Sequence, residues 1–345
     1  MRHIVAVMAG IAIAACAGTA GAQGQLNIVC SVQAPWCEGV AADVPEGDRH
    51  QGLVHAESCG RGDGADRGRE GESRRSTSWY TGTGDPHLQA AEHGPHRRIQ
   101  VADAAAALRL GESRRPSSRS TGLSASTPAR SASATTRSLL AKKNLPPPKC
   151  WADLAKPIYK DEMQMANPNA SGTAYSTIAT LVQIFGEDKA FELLKGVAQE
   201  HQQLSAHRRA VRSARSARGE TAIAVTFLHD GMTEIANGFP VKIVVPCEGT
   251  GYEVGSMSIV KGAKNLDNAK QVLRLGADAR RRRRSARRLR TFQVPSNKSV
   301  ASAAGRAEDG ARSSSSTTTS PNTAAPPSAS GILEKWDREV YAIPR

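Results

Sequence analysis

The apolar and polar positions of residues 221–263, TAIAVTFLHDGMTEIANGFPVKIVVPCEGTGYEVGSMSIVKGA, set the plan for the chain. The run 222–228 is short, β-branched and unbroken, which predicts a strand buried on both faces. His229 and Asp230 follow at its C-terminal end. Residues 232–237 have the pattern of a short helix closed by Gly238. A second buried strand, 241–245, follows Pro240. Strand, helix, strand predicts a βαβ unit, hence an α/β fold with a parallel sheet and helices outside. Ligands of such sheets lie beyond the carboxyl ends of the strands, where His229 and Asp230 stand.

Other segments carry weaker forms of the same grammar. Residues 26–32 read as a strand, and Pro35 permits a helix start. Ser78-Trp79-Tyr80 leads into Thr81-Gly82-Thr83-Gly84-Asp85 and then an amphipathic start at 87–92. A Gly/Thr loop between strand and helix can offer N–H groups and hydroxyls to an anion, although such glycines also serve plain tight turns. Pro146-Pro147-Pro148 is a stiff connector. Residues 150–155 suggest one or two helical turns, and 162–166 a short strand. Ser171-Gly172-Thr173 precede Ile178, Leu181, Val182 and Phe185, whose spacing is helical, so Ser171 or Thr173 belongs at or near an N-cap. Gly186 ends this helix, and 187–197 starts another with acids in its first turn. Residues 256–260 read as a strand; 265–275 and 332–340 read as amphipathic helices. Two helix N-termini facing one cleft would make an anion site.

Composition divides the chain in two. Residues 39–77, 94–137, 199–219, 274–290 and 297–331 hold 30 of the 33 arginines but one of the 13 lysines, and none of the 14 aromatics. Their net charge is +17, against −3 for the remainder. Arg, Ala, Gly, Ser and Pro are what misread GC-rich codons yield, and these stretches begin and end abruptly, so out-of-frame translation accounts for them. Disordered insertions are the alternative. A chain expressed with these stretches is expected to complete neither sheet and to be unfolded or inactive. The Arg280–Arg284 run would suit nucleic acid, but no aromatic interleaves it and export argues against that partner.

The N-terminus reads as a secretory signal peptide. Arg2 and His3 precede an apolar run, 4–15, too short to span a membrane, and Ala20-Gly21-Ala22 predicts cleavage after Ala22. Ile13-Ala14-Ala15-Cys16 is the rival, a lipoprotein box. Export permits disulfides. Cys30, Cys37, Cys150 and Cys247 allow three pairings; proximity favours Cys30–Cys37, leaving Cys150–Cys247. The Cys-x-x-Cys spacing of structural zinc is absent. His, Asp and Glu could serve acid–base chemistry, but no G-x-S-x-G nucleophile motif occurs, so an enzyme is not expected, nor a cofactor or metal.

The segments LNIVCSVQAPWCE, WYTGTGDPHLQAA, ANPNASGTAY, FLHDGMTEIANGFPVKIVVPCEGTGYEVGSMSIVKGAKNLDNA, QVPSN and ILEKWDREV resemble the periplasmic solute-binding proteins of bacterial ABC importers, in the group of ferric-ion and sugar-phosphate binders. They cover a little over half the chain. The resemblance implies a two-lobed (type II) α/β fold with a hinge and an interlobe ligand cleft, incomplete here, and delivery to a membrane permease powered by an ATPase. It implies a first lobe of 23–137 plus 252–345 and a second of 138–251. It assigns ligand contact to Thr81, Gly82, Thr83, Asp85, Ser171, Gly172, Thr173, His229, Asp230 and Glu253. Hydroxyls and N–H groups suit a phosphate or carboxylate, and Asp230 and Glu253 can accept from sugar hydroxyls. Ferric-ion binders of the group use neighbouring tyrosines, which this chain lacks, so a small anionic organic solute ranks above iron. A monomer in the periplasm is expected. Retranslating the gene in its two other frames should restore apolar periodicity across 94–137; if neither frame does, the out-of-frame reading is wrong.

Overall fold

A computed structural model of the chain describes residues 28–30, 32, 36, 38–39, 54–56, 78–80, 128–169, 171–200, 218–260, 266–277, 292 and 329–343. The expected leader, the loop at 81–85, the helix start at 87–92 and Cys37 lie outside the described residues. No helix among the described residues is long and apolar enough to cross a membrane.

The first sheet is built from short strands. β1 (Ile28–Cys30) pairs in parallel with β2 (Val54–Ala56) on one side and β3 (Ser78–Tyr80) on the other. β3 then pairs antiparallel with a late strand, β9 (Met257–Ile259). Ile28, Cys30, Met257 and Ile259 form one face of a small core. Ala269, Val272 and Leu273 of a helix at Leu266–Ala277 close it, the i, i+3, i+4 stripe legible in the sequence.

The second sheet is organised by a nine-residue strand, β4 (Pro128–Thr136). β5 (Met163–Gln164) lies beside β6 (Ile223–Phe227), β6 beside β4, and β4 beside β7 (Val241–Val244). β8 (Tyr252–Val254) pairs with the first three residues of β4. β4 runs antiparallel to β6, β7 and β8, while β5 and β6 are parallel. The predicted strand–helix–strand unit therefore exists as β6, a helix at Leu228–Ala236 and β7, but its strands are not neighbours. β4 stands between them, and the sheet is mixed rather than parallel. The helix crosses β4 closely: a Cβ at Gly231 would stand 2.9 Å from Ile243 Cγ1 and 3.8 Å from Ala134 Cβ.

β4 corrects the expectation that neither sheet could be completed. It lies within the arginine-rich stretch 94–137, yet its residues 131–136 are all buried. A strand's ladder uses backbone groups, which are blind to sequence. The small Ser131, Ala132, Ser133, Ala134, Thr135 and Thr136 side chains let layers approach both faces. β4 also falls inside the span expected for the first lobe although it is the centre of the second sheet.

With the helices now complete in chain order, α1 is Arg137–Lys142, α2 Gly172–Phe185, α3 Glu187–Glu200, α4 Leu228–Ala236, α5 Leu266–Ala277 and α6 Ala329–Trp336. α2 and α3 join at Gly186, whose φ of 82° is glycine's province. Their buried residues, among them Ile178, Leu181, Phe191 and Leu194, form the large core with Ile223 and Val225 of β6. α6 runs into a π-helical turn, Asp337–Tyr341, and adds Ile332, Trp336 and Val340 to that same core. Lys335 reinforces the seam, lying 4.9 Å from the Phe191 ring centroid and donating to Glu187 at 2.9 Å. The terminal helix thus packs with the second sheet, whereas the expected boundary put it with the first.

A disulfide joins Cys150 to Cys247, 97 residues apart. Cys30 is also disulfide-bonded. Cross-linking so long a loop restricts the unfolded chain, so the Cys150→Ser/Cys247→Ser double variant should lose about 2–4 kcal/mol of stability. Urea denaturation checks this, with an unchanged midpoint as the contrary outcome.

Candidate functional site

Ser171 is the N-cap of α2, as its sequence position predicts. Its φ and ψ are extended, and its hydroxyl accepts from the Ala174 N–H at 3.3 Å. The first N–H groups of a helix have no intrahelical acceptor, so Gly172 and Thr173 present the positive end of a 14-residue helix. Gly172 is buried, while Ser171 and Thr173 are half-buried.

His229 and Asp230 sit in the first turn of α4, because the helix begins at Leu228 rather than at the expected 232. No helix breaker separates them from the strand, and an acid is favoured at this end of a helix. Asp230 is not the N-cap; that position is Phe227. One Asp230 oxygen accepts from the Thr226 hydroxyl at 3.3 Å, and the other stands 3.6 Å from His229 Nε2. The His229 ring is buried and stacks on Phe227, centroids 5.4 Å apart. Burial holds its pKa below the ordinary imidazole value, against the opposing pull of Asp230.

Ser131 brings these pieces together. It pairs with Phe227 across the ladder, immediately before α4 begins. Its hydroxyl pairs with Thr177 Oγ1 at 3.4 Å, and Thr177 gives its own proton to the Thr173 carbonyl at 2.9 Å. Its carbonyl accepts from the Thr250 hydroxyl, and its N–H donates to the Gly251 carbonyl at 3.3 Å. A Cβ at Gly251 would run into the Thr180 side chain of α2. The start of α2, the start of α4 and the lead-in to β8 therefore converge at one end of the second sheet.

Glu253 follows in β8, opposite Ala129 of β4. Of the other proposed contacts, Thr81, Gly82, Thr83 and Asp85 lie outside the described residues. Sequence reading missed Ser131, Thr177, Thr180 and Thr250. Thr173, Thr177 and Thr180 do carry a signal, a hydroxyl stripe at helical spacing beside the apolar one. Ser131 carries none. Among the described residues, the one grouping of side chains with metal-ligand chemistry is Cys150, Cys247 and Glu248, and its cysteines are joined to each other.

The sequence and the fold match known binding proteins. A family model described as bacterial extracellular solute-binding protein matches residues 139–313, half of the chain. An uncharacterized protein of Haemophilus influenzae is 37% identical over 273 residues, 76% of this chain and 74% of that one. The periplasmic binding protein AfuA of Actinobacillus pleuropneumoniae, solved with exogenous fructose-6-phosphate bound, is similar with a TM-score of 0.76 and 29% identity, over 92% of this chain and 99% of that one. The periplasmic binding protein P5PA is similar with a TM-score of 0.74 and 26% identity, over the same shares. On its fold and its relatives alike, the chain belongs to the bacterial extracellular solute-binding proteins, the two-lobed capture components of ABC importers.

Proposed function

We propose that this chain acts in the periplasm as a monomer, clamps a sugar phosphate between its lobes, and delivers it to a membrane permease. The convergence of α2, α4 and the approach to β8 on Ser131 carries the reading. The capped N-terminus of α2 suits the phosphate, since its N–H groups and dipole favour an anion. Asp230 and Glu253 are acceptors suited to sugar hydroxyls, and His229 would hold the sugar as a neutral imidazole. AfuA, at 29% identity, is a fructose-6-phosphate complex, which supports this chemistry. Thr81, Gly82, Thr83 and Asp85 would close the site from the first lobe, whose sheet is β2-β1-β3-β9. Ferric ion is the poorer fit, since the sequence holds no adjacent tyrosines.

Calorimetry with fructose-6-phosphate, glucose-6-phosphate and ferric ion tests the ligand class. Heat from a sugar phosphate is expected, and binding of ferric ion alone refutes the reading. Asp230→Asn should weaken sugar-phosphate binding by about tenfold or more, the worth of one hydrogen bond to a charged group.

His229 also predicts a pH dependence. Its folded pKa is depressed below 6.5, so the unfolded chain binds the proton more readily. Its contribution to stability is full above pH 6.5 and is lost as pH falls from there through the folded value. Urea midpoints should therefore drop on acidification, and His229→Phe should flatten that drop. An equal slope in the variant would exclude His229 as its source.

A further inference from the structure

The turn that precedes Glu253 is strapped to a distant segment by a carboxylate with no place in the ligand reading above. Glu248 is half-buried, and both of its oxygens are used. Oε2 accepts from the Trp151 N–H at 2.7 Å, and Oε1 accepts from the Ala152 N–H at 3.0 Å. These are charge-assisted bonds to the first residues of the short 3₁₀ turn Ala152–Ala155. The strap is reciprocal: the buried Trp151 indole N–H donates back to the Gly249 carbonyl at 3.0 Å. The Cys247 N–H donates to the Lys149 carbonyl at 2.9 Å, and Cys247 is disulfide-bonded to Cys150.

The other end of the same turn is locked to the site. Thr250 and Gly251 bond to both backbone groups of Ser131, and Gly251 lies so close to Thr180 that no side chain fits between them. β8 then begins at Tyr252, and Glu253 takes its place opposite Ala129. Residues 247–251 are thus a rigid arm with Glu248 as its anchor at one end and the site at the other. The disulfide holds the arm to the same segment at one residue, and the Glu248 carboxylate adds two bonds at the next.

We propose that Glu248 is a positioning residue for solute recognition: by capping the 151–152 N–H groups it holds in place the arm that leads into β8, and with it Glu253. The inference rests on reading Glu253 as a contact to the sugar. It separates two parts of the solute, because the phosphate end at α2 is capped by Ser171 and not by Glu248, while the sugar hydroxyls are read through the arm that Glu248 holds.

The test uses the full chain with Glu248→Ala and Glu248→Gln, titrated with fructose-6-phosphate and with inorganic phosphate, alongside hydrogen exchange of peptides covering 249–254. Glu248→Ala should weaken fructose-6-phosphate by about tenfold, leave inorganic phosphate unchanged, and speed exchange at 249–254 but not in α3. Glu248→Gln retains one acceptor oxygen and should recover part of the loss. Equal weakening of both ligands with a lowered thermal midpoint would reduce Glu248 to a structural cap and overturn the proposal, as would unchanged exchange at 249–254. If the parent chain binds neither probe, the sugar-phosphate reading fails, and the exchange result still decides whether Glu248 holds the arm.

Discussion

The backbone hydrogen bonds of β4 are the constraint on which the second sheet depends. β6, β7 and β8 each pair with β4, and β5 reaches the sheet through β6. An unpaired buried N–H or carbonyl costs about 1–3 kcal/mol, so the neighbours of β4 could not remain buried without it. Its side chains contribute little apolar area of their own. Ala132 and Ala134 on one face and Ser131, Ser133 and Thr135 on the other are small, and the helices come close because of that. The burial that stabilises the layer is supplied instead by Ile223, Val225, Ile178, Leu181 and the α3 and α6 residues packed beyond them.

That division of labour decides what could be read from the sequence. α2, α3, α5 and α6 were legible because each has an apolar stripe facing a core. β6 and β7 were legible because an unbroken β-branched run has few other uses. β4 and β2 sit within arginine-rich stretches and were illegible, since a ladder leaves no mark in side-chain chemistry. The order of strands followed the same limit: β6, α4 and β7 form a crossover as predicted, yet what lies between the two strands depends on a segment far away in the chain. Of the candidate site, the Ser171 cap and the His229-Asp230 pair were visible from their places at element ends. Ser131, which joins them, was not, because its importance lies in which neighbours it meets.

The polarity of the proposed site follows from the same geometry. Helices α2 and α4 both begin at the end of the sheet where Ser131 stands. One offers capped N–H groups, while the other carries an acid in its first turn and a buried imidazole held neutral. A wholly cationic pocket would suit any anion. Donors beside carboxylates suit a solute with an anionic end and a hydroxylated one, because each group is left unpaired by a ligand lacking its counterpart. This is a stronger constraint on solute class than the net charge of +14, which comes from the arginine-rich stretches.

β8 and β9 show how a site so placed can be linked to motion. They are separated by Gly255 and Ser256, yet β8 pairs with β4 of the second sheet and β9 with β3 of the first. The chain therefore passes from one sheet to the other within two residues of Glu253. A rotation of one sheet against the other must be absorbed in few backbone torsions there, because ladder bonds fix both sides. The Glu248 arm, the Ser131 bonds and the Gly251–Thr180 contact all lie on the β8 side of this crossing. The described contacts of the 247–251 arm therefore belong with the second sheet, and at this crossing Gly255 and Ser256 are all that lies between the two ladders.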